Sequence, residues 1–192
     1  MDLQNGDVFF TGGSSYNGQI AVSKTIDMGN SWTRYILNTS SIGFTYSILI
    51  DPRNSNIVYA GGDVNNSAAI YKTTNGGDIW TRCDDRITGV VYSLTIDPTN
   101  SNIIYAGTYD GVYKSTNGGN NWTNVGCNGV RSLVVDPSNP STIYAGTLAG
   151  VYVSTNSGID WIEYNQGIPT KNILCVTCLL YTSPSPRDRT RS

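Results

Sequence analysis

The chain has 192 residues, 39% of them hydrophobic and 14% charged, with a formal net charge of −2 and no histidine. Without a basic cluster, nucleic acid and anionic membrane are poor partners. Without histidine, the commonest metal ligand and the commonest base for a nucleophile are both missing, so no metal or cofactor is expected; no apolar run is long enough to insert across a bilayer.

In chain order, Val8-Phe9-Phe10-Thr11-Gly12-Gly13 reads as a strand that aligns with the later run Ile57-Val58-Tyr59-Ala60-Gly61-Gly62. The later run follows Ile50-Asp51-Pro52, whereas no Asp-Pro precedes the first, so the first unit lacks its inner strand. Thr25 to Trp32 then opens a series of octapeptides of the form Ser/Thr-x-Asn-x-Gly-x-x-Trp, here with Asp27 in place of Asn. The series continues at Thr73–Trp80, Ser115–Trp122 and Ser154–Trp161, and these four boxes hold all four tryptophans of the chain. Successive box tryptophans lie 48, 42 and 39 residues apart, the period of a propeller blade rather than of a helical solenoid.

The third unit shows how a blade is written. Val91 to Ile96 is β-branched and apolar and reads as strand A, and Asp97-Pro98-Thr99-Asn100 is turn chemistry, because proline presets φ while Asp and Asn side chains bond nearby amides. Ile103 to Gly107 is a nearly continuous apolar run, as expected of a strand covered on both faces. Tyr109-Asp110-Gly111 turns the chain, Val112 to Ser115 returns it as strand C, and Asn117-Gly118-Gly119 supplies the positive-φ residues of a last turn before Trp122 leads into strand D. The fourth unit repeats this through Val135-Asp136-Pro137 and Ile143-Tyr144-Ala145-Gly146. Ile173-Leu174-Cys175-Val176 then reads as the opening of a fifth strand A.

The expected fold is therefore all-β, a β-propeller piece of about four four-stranded antiparallel blades with the first and last incomplete. The blades fall at about 8–37, 44–82, 90–125 and 130–164, with a fifth beginning at 172–177. In each box (Thr25, Asp27, Gly29, Trp32; Thr73, Asn75, Gly77, Trp80; Ser115, Asn117, Gly119, Trp122; Ser154, Asn156, Gly158, Trp161) the hydroxyl and the Asn or Asp oxygen are expected to accept from turn amides. The tryptophan is expected to bury its ring between sheets. Asn in three of the four boxes keeps the acceptor and drops the charge, which suits a structural turn better than a metal site. The strand tyrosines Tyr59, Tyr71, Tyr105, Tyr113, Tyr144 and Tyr152 recur in register, so they read as core with the hydroxyl at the strand edge.

On these boxes, residues 8 to 176 resemble the BNR, or Asp-box, repeat family, whose members include sialidases, sortilin-type receptors, photosystem assembly factors and xyloglucan-cleaving endoglucanases. Residues 178–192 are different: Cys178-Leu179-Leu180-Tyr181-Thr182-Ser183-Pro184-Ser185-Pro186-Arg187-Asp188 resembles a translated transposon-end sequencing adapter, and a natural disordered tail is the alternative. Without that tail, three arginines and one aspartate leave the count and the net charge becomes −4, with Cys83, Cys127 and Cys175 as isolated thiols.

The resemblance implies that binding lies on the face carrying the B–C and D–A loops, opposite the boxes. That selects Tyr16, Asn17, Asn65, Arg86 and Tyr109 as binding residues, with Leu148 and Asn128 in neighbouring loops. If the chain is similar to the endoglucanases, the loop acids Asp63, Asp85 and Asp110 are the candidates for the acid and base, with Tyr16 and Tyr109 as stacking platforms; as ordinary turn residues they need no such role. Sialidases use three converging arginines, and of Arg34, Arg53, Arg82, Arg86 and Arg131 only Arg86 is placed on the candidate face. The photosystem-type class implies a basic patch, which the sequence lacks. The reading that results is an extracytoplasmic glycan- or protein-binding or scaffold module, prone to self-association as an open array, with a glycoside hydrolase part as the alternative.

Overall fold

The computed structural model describes residues 6–169 and 171–178. Of the tail reading, only Cys178 falls among them. Strands β1 (Phe9–Ser14), β2 (Ile20–Thr25) and β3 (Thr33–Ile36) form a three-stranded antiparallel sheet. Three four-stranded sheets follow, each in simple chain order: β4 (Gly43–Ile50) to β7 (Thr81–Arg82) through β5 (Val58–Val64) and β6 (Ser67–Thr73); β8 (Val91–Asp97) to β11 (Thr123–Asn124) through β9 (Asn100–Thr108) and β10 (Gly111–Ser115); and β12 (Val130–Val135) to β15 (Ile162–Glu163) through β13 (Ile143–Thr147) and β14 (Gly150–Ser154). The described residues contain no helix. This is the expected all-β propeller architecture, with three strands in the first blade among the described residues.

The sheets stack because their middle strands are apolar on both faces. In β5 every residue is buried, and in β9 the last five are. One core joins blades 2 and 3, with Tyr59, Ile70, Val91, Leu94, Ile104 and Trp122 among its members, and a second joins blades 3 and 4 around Tyr105, Val112, Val130 and Ile143. β4 packs on β8 and β8 on β12, whereas the last strand of each blade packs mainly on its own sheet, so the first strands converge at an inner edge.

Two devices stitch neighbours. The Oγ of Ser47 accepts the Leu94 amide at 3.0 Å, that of Ser93 accepts the Leu133 amide at 3.0 Å, and that of Ser132 accepts the Val176 amide at 3.1 Å. The Val176 amide thus donates to its serine as the amides of Leu94 and Leu133 do to theirs. The second device joins the box to the blade before it. Tyr59 Oη and Lys72 Nζ both donate to the Gly118 carbonyl, at 3.0 and 2.8 Å. Tyr105 Oη and Lys114 Nζ do the same to the Ser157 carbonyl, at 3.2 and 2.9 Å.

Each box closes on itself as its residue types dictate. Ser115 Oγ accepts the Gly119 amide at 2.9 Å and Asn117 Oδ1 accepts the Asn121 amide at 2.9 Å, and the same pair of bonds recurs in the other three boxes. Gly119 has φ +87° and a Cβ there would lie 3.2 Å from the Tyr59 ring, so the position requires glycine twice over. The expectation that every box tryptophan buries its ring needs correction. Trp122 is 4% exposed, Trp80 and Trp161 are half-buried, and Trp32 is 47% exposed. A box ring packs onto the preceding blade, and among the described residues no sheet precedes the first.

Candidate functional site

The loop face is built by short turns. Asn65 and Asn66 take φ 53° and 61°, making a tight hairpin between β5 and β6, and Asp63 caps it: its Oδ2 accepts the Asn66 amide at 3.0 Å and its Oδ1 the Phe44 amide at 3.2 Å. Asp63 is 5% exposed and both its oxygens are engaged. Tyr16 is fully exposed at the tip of the β1–β2 turn, with Asn17 exposed beside it. Arg86 has φ 65° and its guanidinium lies 3.6 Å from Asp85, both side chains largely in solvent. These residues stand at separate turns.

Tyr109 is the exception. A shallow cavity of about 360 Å³ between blades 3 and 4 is lined by Tyr109, Asp110, Asn128, Gly129, Leu148 and Ala149. Its floor is a backbone strap, in which the Gly129 amide donates to the Tyr109 carbonyl at 2.7 Å and the Leu148 amide to the Gly129 carbonyl at 3.1 Å. The strap fixes three loops from two blades, leaving the Tyr109 ring 56% exposed beside the exposed Asp110 carboxylate. A larger cavity, about 560 Å³, runs along β7 at the outer edge and includes Lys72, Arg82, Asp84 and Asp85. Its cations are already committed: Lys72 to the Gly118 carbonyl, Arg82 to Asp84 at 2.7 Å and to the Ala68 carbonyl. The smaller cavity is therefore the better candidate on chemistry.

Asp63, Asp85 and Asp110 lie in three different surroundings: a backbone cap, the outer cavity and the loop cavity. Among the described residues no group of three or more His, Cys, Asp or Glu side chains could hold a metal ion. Burial pushes the thiols of Cys83 and Cys127 up to about 12, which suits inert core sulfurs rather than nucleophiles.

A second constellation escaped the sequence reading. Each complete inner strand carries a β-bulge near its loop-face end, between Thr45 and Ser47, Val91 and Ser93, and Val130 and Ser132. The extra residues are Tyr46, Tyr92 and Arg131, one from each of three successive blades. They line up along the inner edge, with Phe44 and Tyr46 ring centroids 6.2 Å apart, Tyr46 and Tyr92 5.6 Å apart, and the Arg131 guanidinium carbon 4.1 Å above the Tyr92 ring. Phe44 and Tyr46 are 43% and 50% exposed. The Tyr46 hydroxyl titrates above its ordinary value, first through burial and then through the charge of Asp63. Arg131, set aside in the sequence reading, thus stands two residues from Gly129 of the loop cavity. A textual signal exists: Tyr46, Tyr92 and Arg131 each lie five residues before an Asp-Pro and directly before a serine.

Fold and sites define the chain as four stacked blades of a β-propeller. It belongs to the DUF6242 beta propeller domain family, whose profile matches residues 32–188. Among solved structures it is similar to an ancestral GH74 enzyme, with TM-score 0.62 and 26% identity over 83% of this chain and 24% of that one. It is also similar to the GH74 enzyme of Niastella koreensis, with TM-score 0.63 and 24% identity over 83% and 30%. A third likeness is to YCF48 bound to D1 peptide, with TM-score 0.52 and 18% identity over 69% and 44%. The chain thus spans between about a quarter and under half of the length of these structures. No curated protein matches it. No helix among the described residues is long and apolar enough to cross a membrane.

Proposed function

We propose that this propeller is a binding or scaffold module, extracytoplasmic in setting, that takes a glycan or protein on its loop face. The observation that carries the reading is the strapped cavity of Tyr109, Asp110, Asn128 and Leu148, where an exposed ring, a carboxylate and an amide converge on a rigid floor. Ligand sites of this kind are concave, largely preformed and set by a few convergent polar groups. Propellers similar in fold include one bound to a peptide and others that are GH74 enzymes, so the fold by itself does not choose between a protein and a glycan. The test is binding of immobilised polysaccharides and peptides by the chain and by its Tyr109→Ala and Asn128→Ala variants. A drop of roughly tenfold in both variants supports the cavity, since a truncated contact residue at the centre of a site costs more than about 1 kcal/mol. Unchanged binding in both sinks it.

A hydrolase reading has one observation in its favour, the 26% identity to an ancestral GH74 enzyme. Glycoside hydrolysis needs two carboxyl groups roughly 5 to 10 Å apart. Asp63, Asp85 and Asp110 stand in separate surroundings, so in this reading Asp110 works with a carboxylate supplied from outside the described residues. Release of reducing ends from xyloglucan that disappears in Asp110→Asn supports it; release that persists in Asp110→Asn removes it. Self-association is proposed on a separate footing, the exposed Ile26, Met28, Ile79, Ile159 and Ile162. A single monomeric boundary in sedimentation velocity overturns it.

A further inference from the structure

The row at the inner edge holds a cation that has no ion-pair partner among the described residues. Among the described residues the ion pairs go to Arg82 and Arg86, and Arg53 donates to the Thr99 carbonyl. Arg131 is half-buried, lies flat over Tyr92 at 4.1 Å, and has neither an ion pair nor a hydrogen bond among the described residues. A stacked guanidinium uses its face on the ring and leaves its N–H edge free, in a fork that matches a carboxylate.

The rest of the row limits what such a carboxylate can belong to. Phe44, Tyr46 and Tyr92 continue from Arg131 as three rings in successive contact, two of them about half exposed, and aromatic faces of this kind take up flat, partly apolar ligand groups. Asp63 lies at the other end, beside Tyr46 and bonded to the Phe44 amide, so that end disfavours a second anion. The row is therefore polar along its length, with anion at Arg131 and neutral rings toward Phe44. The chain carries a net charge of −2 and no basic cluster, which argues against a densely charged polymer.

We infer that Phe44, Tyr46, Tyr92 and Arg131 form a saccharide site that reads a single carboxylate, with Arg131 forking onto a uronic acid and the aromatic faces stacking on the neighbouring sugar rings. This rests on the binding-module reading but uses side chains other than those of the Tyr109 cavity, so the two fail separately.

The experiment is calorimetric titration of the full chain with oligogalacturonate, with a neutral xyloglucan oligosaccharide, and with a peptide ending in an aromatic residue and a free carboxylate. Circular dichroism and melting confirm that each variant is folded. The expected result is preference for oligogalacturonate, weakened roughly tenfold to a hundredfold in Arg131→Gln, the loss expected when a hydrogen-bonded charge pair is removed. Arg131→Lys recovers only part, because a point charge lacks the fork. Tyr46→Ala weakens binding of the acidic oligosaccharide without abolishing its preference over the neutral one. Equal affinity of Arg131→Gln and the unaltered chain overturns the inference, as does a neutral oligosaccharide binding as tightly as the acidic one, or binding of the peptide alone. If only a ligand sensitive to Tyr109→Ala is found, the inference falls and the binding module stands; if nothing binds, both fall.

Discussion

The joint between blades 1 and 2 and the joint between blades 2 and 3 are written with the same box and closed differently. At the second joint Trp122 Nε1 donates across the gap to the Cys83 carbonyl at 2.8 Å, and Tyr59 and Lys72 reach forward to the Gly118 carbonyl. At the first, Trp80 Nε1 stays within its own box, on the Gly77 carbonyl at 2.9 Å. Phe10 occupies the place of Tyr59 without a hydroxyl, meeting Trp80 edge-on at 6.4 Å and lying against Gly77. Lys24 is still present over Phe10. Identical turn chemistry therefore gives the hairpin, while the residues outside the box determine whether that hairpin also becomes a bond between blades.

The largest test of this contrast is paired truncation of tryptophans. Trp122→Ala removes a buried ring and its interblade bond and is expected to cost about 3 to 5 kcal/mol, against less than about 1 kcal/mol for the half-exposed Trp32→Ala. Equal shifts in urea midpoint break the distinction. Exchanging the hydroxyl comes next. Tyr59→Phe is expected to lose about 1 kcal/mol and Phe10→Tyr to gain a similar amount by reaching the box carbonyl of the next blade; a loss in both variants shows that the first joint lacks room for the bond.

Thiol reactivity probes the second joint without mutation. Burial pushes the Cys83 thiol up to about 12, so at pH 8 it is protonated and shielded, whereas Cys175 is exposed. Iodoacetamide followed by mass spectrometry is expected to label Cys175 and spare Cys83 and Cys127, and early labelling of Cys83 reports that the joint opens. The smallest effect belongs to the one box with an acid. Hydrogen bonds from Ser31 and Thr25 hold the Asp27 carboxyl at about 2, below its ordinary 3.8. Its stabilising contribution is thus present above the ordinary carboxylate value and is lost as pH falls through about 2. An Asp27→Asn variant is expected to melt slightly below the parent at pH 7 and to converge with it as pH falls from 4 to 2.

Blades and turns were legible in the sequence because their chemistry is local. A hydroxyl, an amide and a glycine at fixed offsets specify the Ser115–Trp122 hairpin, and the side-chain bonds that close its turn are made within those eight residues. The depth of each tryptophan was not legible, because Trp32 and Trp122 differ only in what stands before their blade. Of the binding residues, Tyr109 was placed in a cavity with Asp110 and Leu148, whereas Tyr16, Asn65 and Arg86 stand at separate turns. The inner row was hidden for a different reason. A bulge breaks the alternation by which inward and outward residues are told apart, so Tyr46, Tyr92 and Arg131 are invisible to a period of two.

The bond from Tyr and Lys of one blade to the box carbonyl of the next has a consequence for how such arrays can grow. Blade 3 carries both halves of the joint: the donors Tyr105 and Lys114 on its second and third strands, and the Gly118 acceptor in its own last turn. A tandem duplication of that stretch of gene therefore adds a unit that already fits its neighbours on both sides, with no compensating change elsewhere. At the same position in blade 4, Val153 replaces the lysine while Tyr144 remains, so a copy of that unit would pass on only half of the fastening.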